Sequence, residues 1–215
     1  MLWGAYGNIE PPRVPKSHEI PTNMARRCLL WTLWLSTAQS LIIVEQTLHA
    51  RHRPPSDQRH VETPARIDET VAALKEAHFA EQIVWKRARD SNISPEAAVT
   101  ALKLVHSVDH LRGLVALSKT GGGFDTDTYC APGSWEAMLD GLRAWMEAFE
   151  SVGRGQGPAF ALSRPAGHHA TRSTAMGFGL VNFAAAAVAS YLDKHPSAKI
   201  AILDWDVSFH ARTCP

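Results

Sequence analysis

At 215 residues the chain is long enough for one domain with a sizeable hydrophobic core. A net charge of +1 with 20% charged residues leaves no electrostatic case for nucleic acid or an acidic membrane surface, and 45% hydrophobic residues exclude general disorder. Cys28, Cys130 and Cys214 are odd in number, widely spaced and without a CxxC pair, which suits a reducing compartment and excludes a disulfide framework or a thiolate cluster.

Residues 1–27 mix Pro, Gly and both charges without a period, so they read as an irregular extension, taken here to residue 40. Residues 28–44 are apolar after Arg26-Arg27, but Ser36, Thr37, Gln39 and Ser40 interrupt the run of about 20 apolar residues that a spanning helix needs. Two readings stay open: a targeting-like segment over 24–44, or a buried strand over 41–44. Residues 45–67 form a polar loop in which His49, His52 and His60 share no spacing that sets two imidazoles on one face. Most of the 11 histidines fall in such loops and read as surface groups.

A helix is expected over 67–77, and Ser94-Pro95-Glu96 starts another that runs to about 106. Gly121-Gly122-Gly123 lacks the Lys and Ser/Thr of a phosphate-cradling loop and reads as a plain loop leading into 125–129. Ser134 is expected to cap a helix whose Trp135, Met138, Leu139, Leu142, Trp145, Met146 and Phe149 make one core-facing stripe. A linker over 153–158 leads to a short buried strand at 159–163. An apolar helix follows over 181–192, then a near-continuous apolar run over 199–207, expected as an interior parallel strand. This alternation predicts a three-layer α/β/α fold with a mainly parallel sheet.

Arg164-Pro165-Ala166-Gly167-His168-His169 and Asp204-Trp205-Asp206 both fall just beyond strand ends, where such sheets gather ligand groups. Asp204 and Asp206, two apart on an extended strand, would share a face, and buried carboxylates there need a cation or donors. His168 and His169 can supply a general base and a carboxylate-tuned partner. On spacing alone, a metal-assisted hydrolase competes with a salt-bridged strand end beside a histidine turn.

Three segments, 162–170 with the tandem histidines, 176–182 with Met176-Gly177-Phe178-Gly179, and 202–207, resemble the histone deacetylase family, with weaker likeness at 63–67, 105–107 and 127–137. The resemblance covers 41–207 and lies nearest the class II and bacterial-type branch, which includes acetylpolyamine amidohydrolases. It implies the arginase/deacetylase fold and zinc-dependent hydrolysis of an N-acetyl amide on lysine, in a protein or histone, or on a polyamine. It also implies roles: His169 as general base, His168 as its companion held by Asp204, and Asp206 as a zinc carboxylate. Gly177 and Phe178 would form the wall of the acyl-lysine tunnel, and Asp127 a rim group meeting substrate backbone. A cytoplasmic or nuclear location follows, with no membrane span.

The pattern departs after Val207. Ser208 stands where the family has a zinc-binding histidine, Ala211 where it has an Asp or Asn, and the divergent tail 208–215 ends inside the family's zinc motif. A Val-Ser pair can be encoded by GTGAGT, a usual intron start, so read-through is one expectation for this tail, tested by sequencing the transcript across codon 207. The expectation is a chain that holds zinc poorly and does not turn over. Alternative readings are a non-catalytic remnant that binds a partner through an open sheet edge, and an organelle-targeted polyamine or small-amide deacetylase.

Overall fold

The computed structural model describes residues 40–56, 59–204 and 206. Three parallel strands form its main sheet in the order β2-β1-β5: β1 (Leu41–Glu45), β2 (Ile83–Arg87) and β5 (Ala159–Leu162). Leu41 pairs with Ile83, and Ile42 with Ala159, so β1 lies between two neighbours along its length. Five residues of LIIVE suffice because their alternate side chains enter two different cores. Ile42 and Val44 pack with Ala144 and Ala148 on one face, while Ile43 packs with Ile67, Ile83 and Leu162 on the other. Each such aliphatic burial contributes roughly 1.5–3 kcal/mol before entropy is charged against it. The apolar run at 41–44 is therefore a strand; residues 1–39, including most of the targeting-like segment, lie outside the described residues.

Helices flank both faces. Helix α1 (Ala65–Glu76) supplies Ile67 below, and the long α4 (Ser134–Gly153) lies across the other side of β1 and β5. The stripe on α4 is buried as its period demands: Met138 and Leu142 are fully enclosed, and Leu139, Trp145, Met146 and Phe149 are nearly so. It packs against α2 (Pro95–Val105) and α5 (Phe183–Lys194), with α3 (Val108–Thr120) alongside. This is the α/β/α architecture expected from the sequence.

Helix starts follow side-chain chemistry. Ser94 accepts from the Ala97 N–H and Ser107 from the His110 N–H, each satisfying one orphan donor of a first turn. Asn182 does the same for α5 through Ala185. Ser134 does not cap α4, contrary to expectation: Gly133, at φ 89°, holds the cap position and Ser134 is the first helical residue. Its hydroxyl oxygen instead accepts from the Ala131 N–H at 2.8 Å and pairs with His52 Nδ1 at 2.7 Å. The triple glycine is also more than loop, because β3 (Gly122–Gly123) pairs antiparallel with β4 (Tyr129–Cys130) and closes the segment between them.

The strand expected over 199–207 is not formed among its described residues. Residues 199–204 and 206 carry no regular structure, and Leu203 is 67% exposed. A strand is sustained by neighbours, and among the described residues β5 pairs with β1 alone.

Candidate functional site

The turn after β5 is built on Arg164, a guanidinium 1% exposed. Its backbone N–H donates to Gln46 Oε1 at 2.8 Å, tying it to the end of β1. Its side chain then spends every face on fixed acceptors: Glu62 Oε1 at 2.7 Å, the carbonyls of His49, His52 and Glu62, and the Tyr129 hydroxyl at 2.9 Å. Tyr129 in turn donates to the Glu62 carbonyl at 2.7 Å. Burial foremost pushes its phenol up to about 12, with Arg164 opposing, so the hydroxyl stays a donor. The 46–52 segment is itself anchored to α4, where Asp140 Oδ2 accepts from the N–H groups of Thr47 and Leu48. Arg164 thus fixes the entry to the histidine turn.

The far side of the turn rests on the start of α5. Gly167 lies so close to Phe183 that a Cβ would stand 2.6 Å from the ring, and its carbonyl accepts from the Ala184 N–H. Asn182 donates through Nδ2 to the His168 carbonyl at 3.1 Å, while its own N–H donates to His106 Nε2 at 2.9 Å. His110 Nε2 binds the Leu180 carbonyl at 2.9 Å. Burial, then the neighbouring His110 charge, lowers His106 to about 4, and burial lowers His110 as well. These two histidines, with His52, are buried, which corrects the surface reading for these three.

His168 and His169 face each other at 4.0 Å between ring centroids. His168 Nδ1 meets Asp204 Oδ2 at 2.7 Å, with side-chain exposures of 10% and 5%. A carboxylate only accepts, so the Nδ1 proton points at Asp204 and Nε2 presents the other side of the ring. There it faces Asp206 Oδ2 at 3.7 Å. Asp204 and Asp206 therefore converge on one imidazole from its two nitrogens, although no strand aligns them. The carboxylate also accepts locally, Asp204 Oδ1 from the Asp206 N–H at 3.1 Å.

One donor atom each from His168, His169 and Asp206 lies within 4.8 Å of the others. Nitrogen and carboxylate oxygen are donors zinc accepts, at bonds of about 2.0–2.2 Å. Such bonds set tetrahedral ligands about 3.4 Å apart, so the three fit the ion by chemistry and need to close in to grip it. Ser208, in the place of the expected histidine, lies outside the described residues.

Gly177 stands against the His169 ring, and Phe178 follows it in the same turn. Both have positive φ, 57° and 65°, between Met176 and Gly179, whose backbones bond mutually at 3.0 and 2.9 Å. That is the signature of a type I′ turn, which a phenylalanine enters only against strain of roughly 1–3 kcal/mol. Glycine is required at 177 because a Cβ would come within 2.7 Å of the His169 ring. The Phe178 N–H donates to Thr128 Oγ1 at 3.2 Å, linking the turn to the loop that carries the exposed Asp127. His60 packs edge-on to Phe178 at 5.2 Å.

The model of the histone deacetylase domain matches residues 60–210 of the chain. The chain belongs to the histone deacetylase family. A histone deacetylase-like amidohydrolase of Pseudomonas aeruginosa is 32% identical over 157 residues, which are 72% of this chain and 40% of that protein. Histone deacetylase 8 of Arabidopsis thaliana is 28% identical across 71% of the chain and 40% of its own length. An acetylpolyamine amidohydrolase of Mycoplana ramosa is 40% identical over 84 residues, 39% of this chain and 24% of its own. The crystal structure of the HDA15 HD domain matches with a TM-score of 0.62 at 28% identity, covering 73% of this chain and 44% of that one. The chain spans less than half the length of each of these relatives.

Sequence reading singled out the tandem histidines, the twin carboxylates, Gly177, Phe178 and Asp127, and the structure brings His168, His169, Asp204 and Asp206 together. It missed the scaffold: Glu62, Arg164, His52, His60, His106 and Thr128. Asn182, three residues before Ala185 at the start of an apolar helix, did carry a local capping signal. Among the described residues, no helix is long and apolar enough to cross a membrane.

Proposed function

We propose that this chain carries the base pair, one zinc carboxylate and the tunnel wall of an N-acetyl-lysine amidohydrolase site, acting on an acetylated protein such as a histone. The supporting observation is the convergence of Asp204 and Asp206 on His168, at 2.7 and 3.7 Å. Asp206 would hold the zinc, with His168 and His169 facing it. When bound, the ion polarises the amide carbonyl and a water.

The chain's own residues do the rest. Asp204 keeps the His168 proton on Nδ1, leaving Nε2 to accept one from the substrate side. His169, pressed against Gly177, sits where it can take a proton from the attacking water and return it to the amine. Phe178 narrows the approach to a methylene-sized slot, and Asp127 meets substrate backbone at the rim. With Ser208 in place of an imidazole ligand, zinc is held weakly and turnover does not occur.

The test is a fluorogenic acetyl-lysine assay, with an acetylated polyamine in parallel, on the chain and on Ser208→His in excess zinc. No turnover by the first, with zinc held more tightly by the second, supports the reading, whereas robust turnover by the chain as it stands overturns it. The polyamine arm is included because of the local likeness to the acetylpolyamine amidohydrolase. A non-catalytic partner-binding role is the second reading, and it rests on the outer edge of β5, where β1 is the one partner among the described residues.

A further inference from the structure

We propose that His60 is a positioning residue whose single imidazole tautomer locks the rim of the acyl-lysine slot to its wall, and so favours peptide substrates over small acetylated amines. The inference rests on the reading of Asp127 and Phe178 given above. The Glu62 N–H donates to His60 Nδ1 at 3.0 Å, so that nitrogen carries a lone pair. The ring proton is then on Nε2, which lies 3.0 Å from the Asp127 carbonyl and donates to it. The same ring stands edge-on to Phe178 at 5.2 Å and 77°, and to Tyr129 at 5.0 Å and 82°.

His60 therefore touches the rim through a hydrogen bond, the wall through a ring contact, and the Arg164–Glu62 scaffold through Glu62 and Tyr129. The rim is pinned from its inner side as well: Asp125 Oδ1 accepts from the N–H groups of Asp127 and Thr128, and Asp125 Oδ2 from the Thr128 hydroxyl. Between these two attachments the Asp127 backbone has one orientation, with the residue exposed. A peptide presents backbone N–H groups to that carboxylate, whereas a small acetylated amine fills the slot and has no backbone to offer. Loss of the His60 clamp costs the first ligand and spares the second.

Two substitutions separate the two nitrogens. His60→Asn keeps an acceptor for the Glu62 N–H but is too short to reach Asp127; His60→Gln sets an amide donor where Nε2 stands. Imidazole proton–nitrogen correlation NMR of the unsubstituted chain should show the Nε2–H tautomer at His60. In His60→Asn, amide exchange at Asp127 and Phe178 should quicken about tenfold while Glu62 stays protected, the scale of one lost hydrogen bond. Anisotropy with a labelled acetyl-lysine peptide should show a similar loss of affinity, an acetylated polyamine competitor should be unaffected, and His60→Gln should restore peptide binding. An Nδ1–H tautomer, unchanged rim exchange in His60→Asn, or failure of His60→Gln to rescue overturns the proposal. If the unsubstituted chain binds no peptide, the substrate reading of the site fails by itself, and with it the claimed selectivity, while exchange still decides the clamp.

Discussion

Arg164 Nε and Glu62 Oε1 lie 2.7 Å apart at side-chain exposures of 1% and 0%, the most deeply enclosed ion pair among the described residues. The pair joins residues 102 apart in sequence and supports the histidine turn from below. Its net contribution to stability is small by the usual balance of desolvation against attraction, but removing one partner strands the other. Arg164→Met should cost about 3–5 kcal/mol in urea unfolding, because among the described residues only Arg66, on the surface, then pairs with the Glu62 carboxylate. Tyr129→Phe, which removes one hydroxyl from the same cluster, should cost about 1–2 kcal/mol. Equal, sub-kcal effects for both would show that the cluster is not what anchors the turn.

Stability should fall in mild acid. Burial, then the charge of Arg164, lowers His52 to about 3, and His106 stands at about 4, against 6.5 for an ordinary histidine. A base depressed in the folded state binds fewer protons there than in the unfolded chain. Its contribution is complete above pH 6.5 and is lost as pH falls toward the folded value. Each group should add about 1.4 kcal/mol per pH unit across that window, His106 down to about 4 and His52 down to about 3. His52→Phe keeps the stacking on Tyr129, 4.3 Å away, and should flatten the slope by one proton; unfolding curves from pH 4 to 7 check it.

Gly177→Ala should damage the site before it damages the fold. The added methyl would sit 2.7 Å from the His169 ring, at a φ of 57° that alanine resists. A loss of about 1–3 kcal/mol is expected from strain and displacement together. The His169 ring resonances should shift while those of His106 and His110 stay, and uniform shifts across all of them would mean general loosening instead.

How much of this was legible in the sequence follows from the range of the forces involved. Strand β1 and the α4 stripe were readable because their side-chain periods match their own burial, and Ser94-Pro95 because a cap is a local bond. Strand β2 escaped, since its IVWKR has one fully buried residue and Lys86 reaches over to Glu147, Ser151 and Gln156. Helix α3 escaped because four buried residues in 13 give it a faint stripe. The buried histidines escaped because their partners lie far along the chain: Ser134 is 82 residues from His52 and Asn182 is 76 from His106. The strand over 199–207 was over-read across its described residues, because an apolar run specifies a strand only where neighbours are present to pair with it. The tandem histidines and twin acids were recognisable from their family pattern, whereas spacing alone left a salt-bridged turn equally open.

The most direct test of the half-formed ion site is an equilibrium titration with zinc and with cobalt, the latter read by its visible absorption, on the chain, on Asp206→Ala and on Ser208→His. Weak binding by the chain, none by Asp206→Ala, and at least about tenfold tighter binding by Ser208→His is the predicted result, as the added imidazole gives Asp206 a second protein ligand beside it. Tight, stoichiometric binding by the chain that survives Asp206→Ala would contradict it.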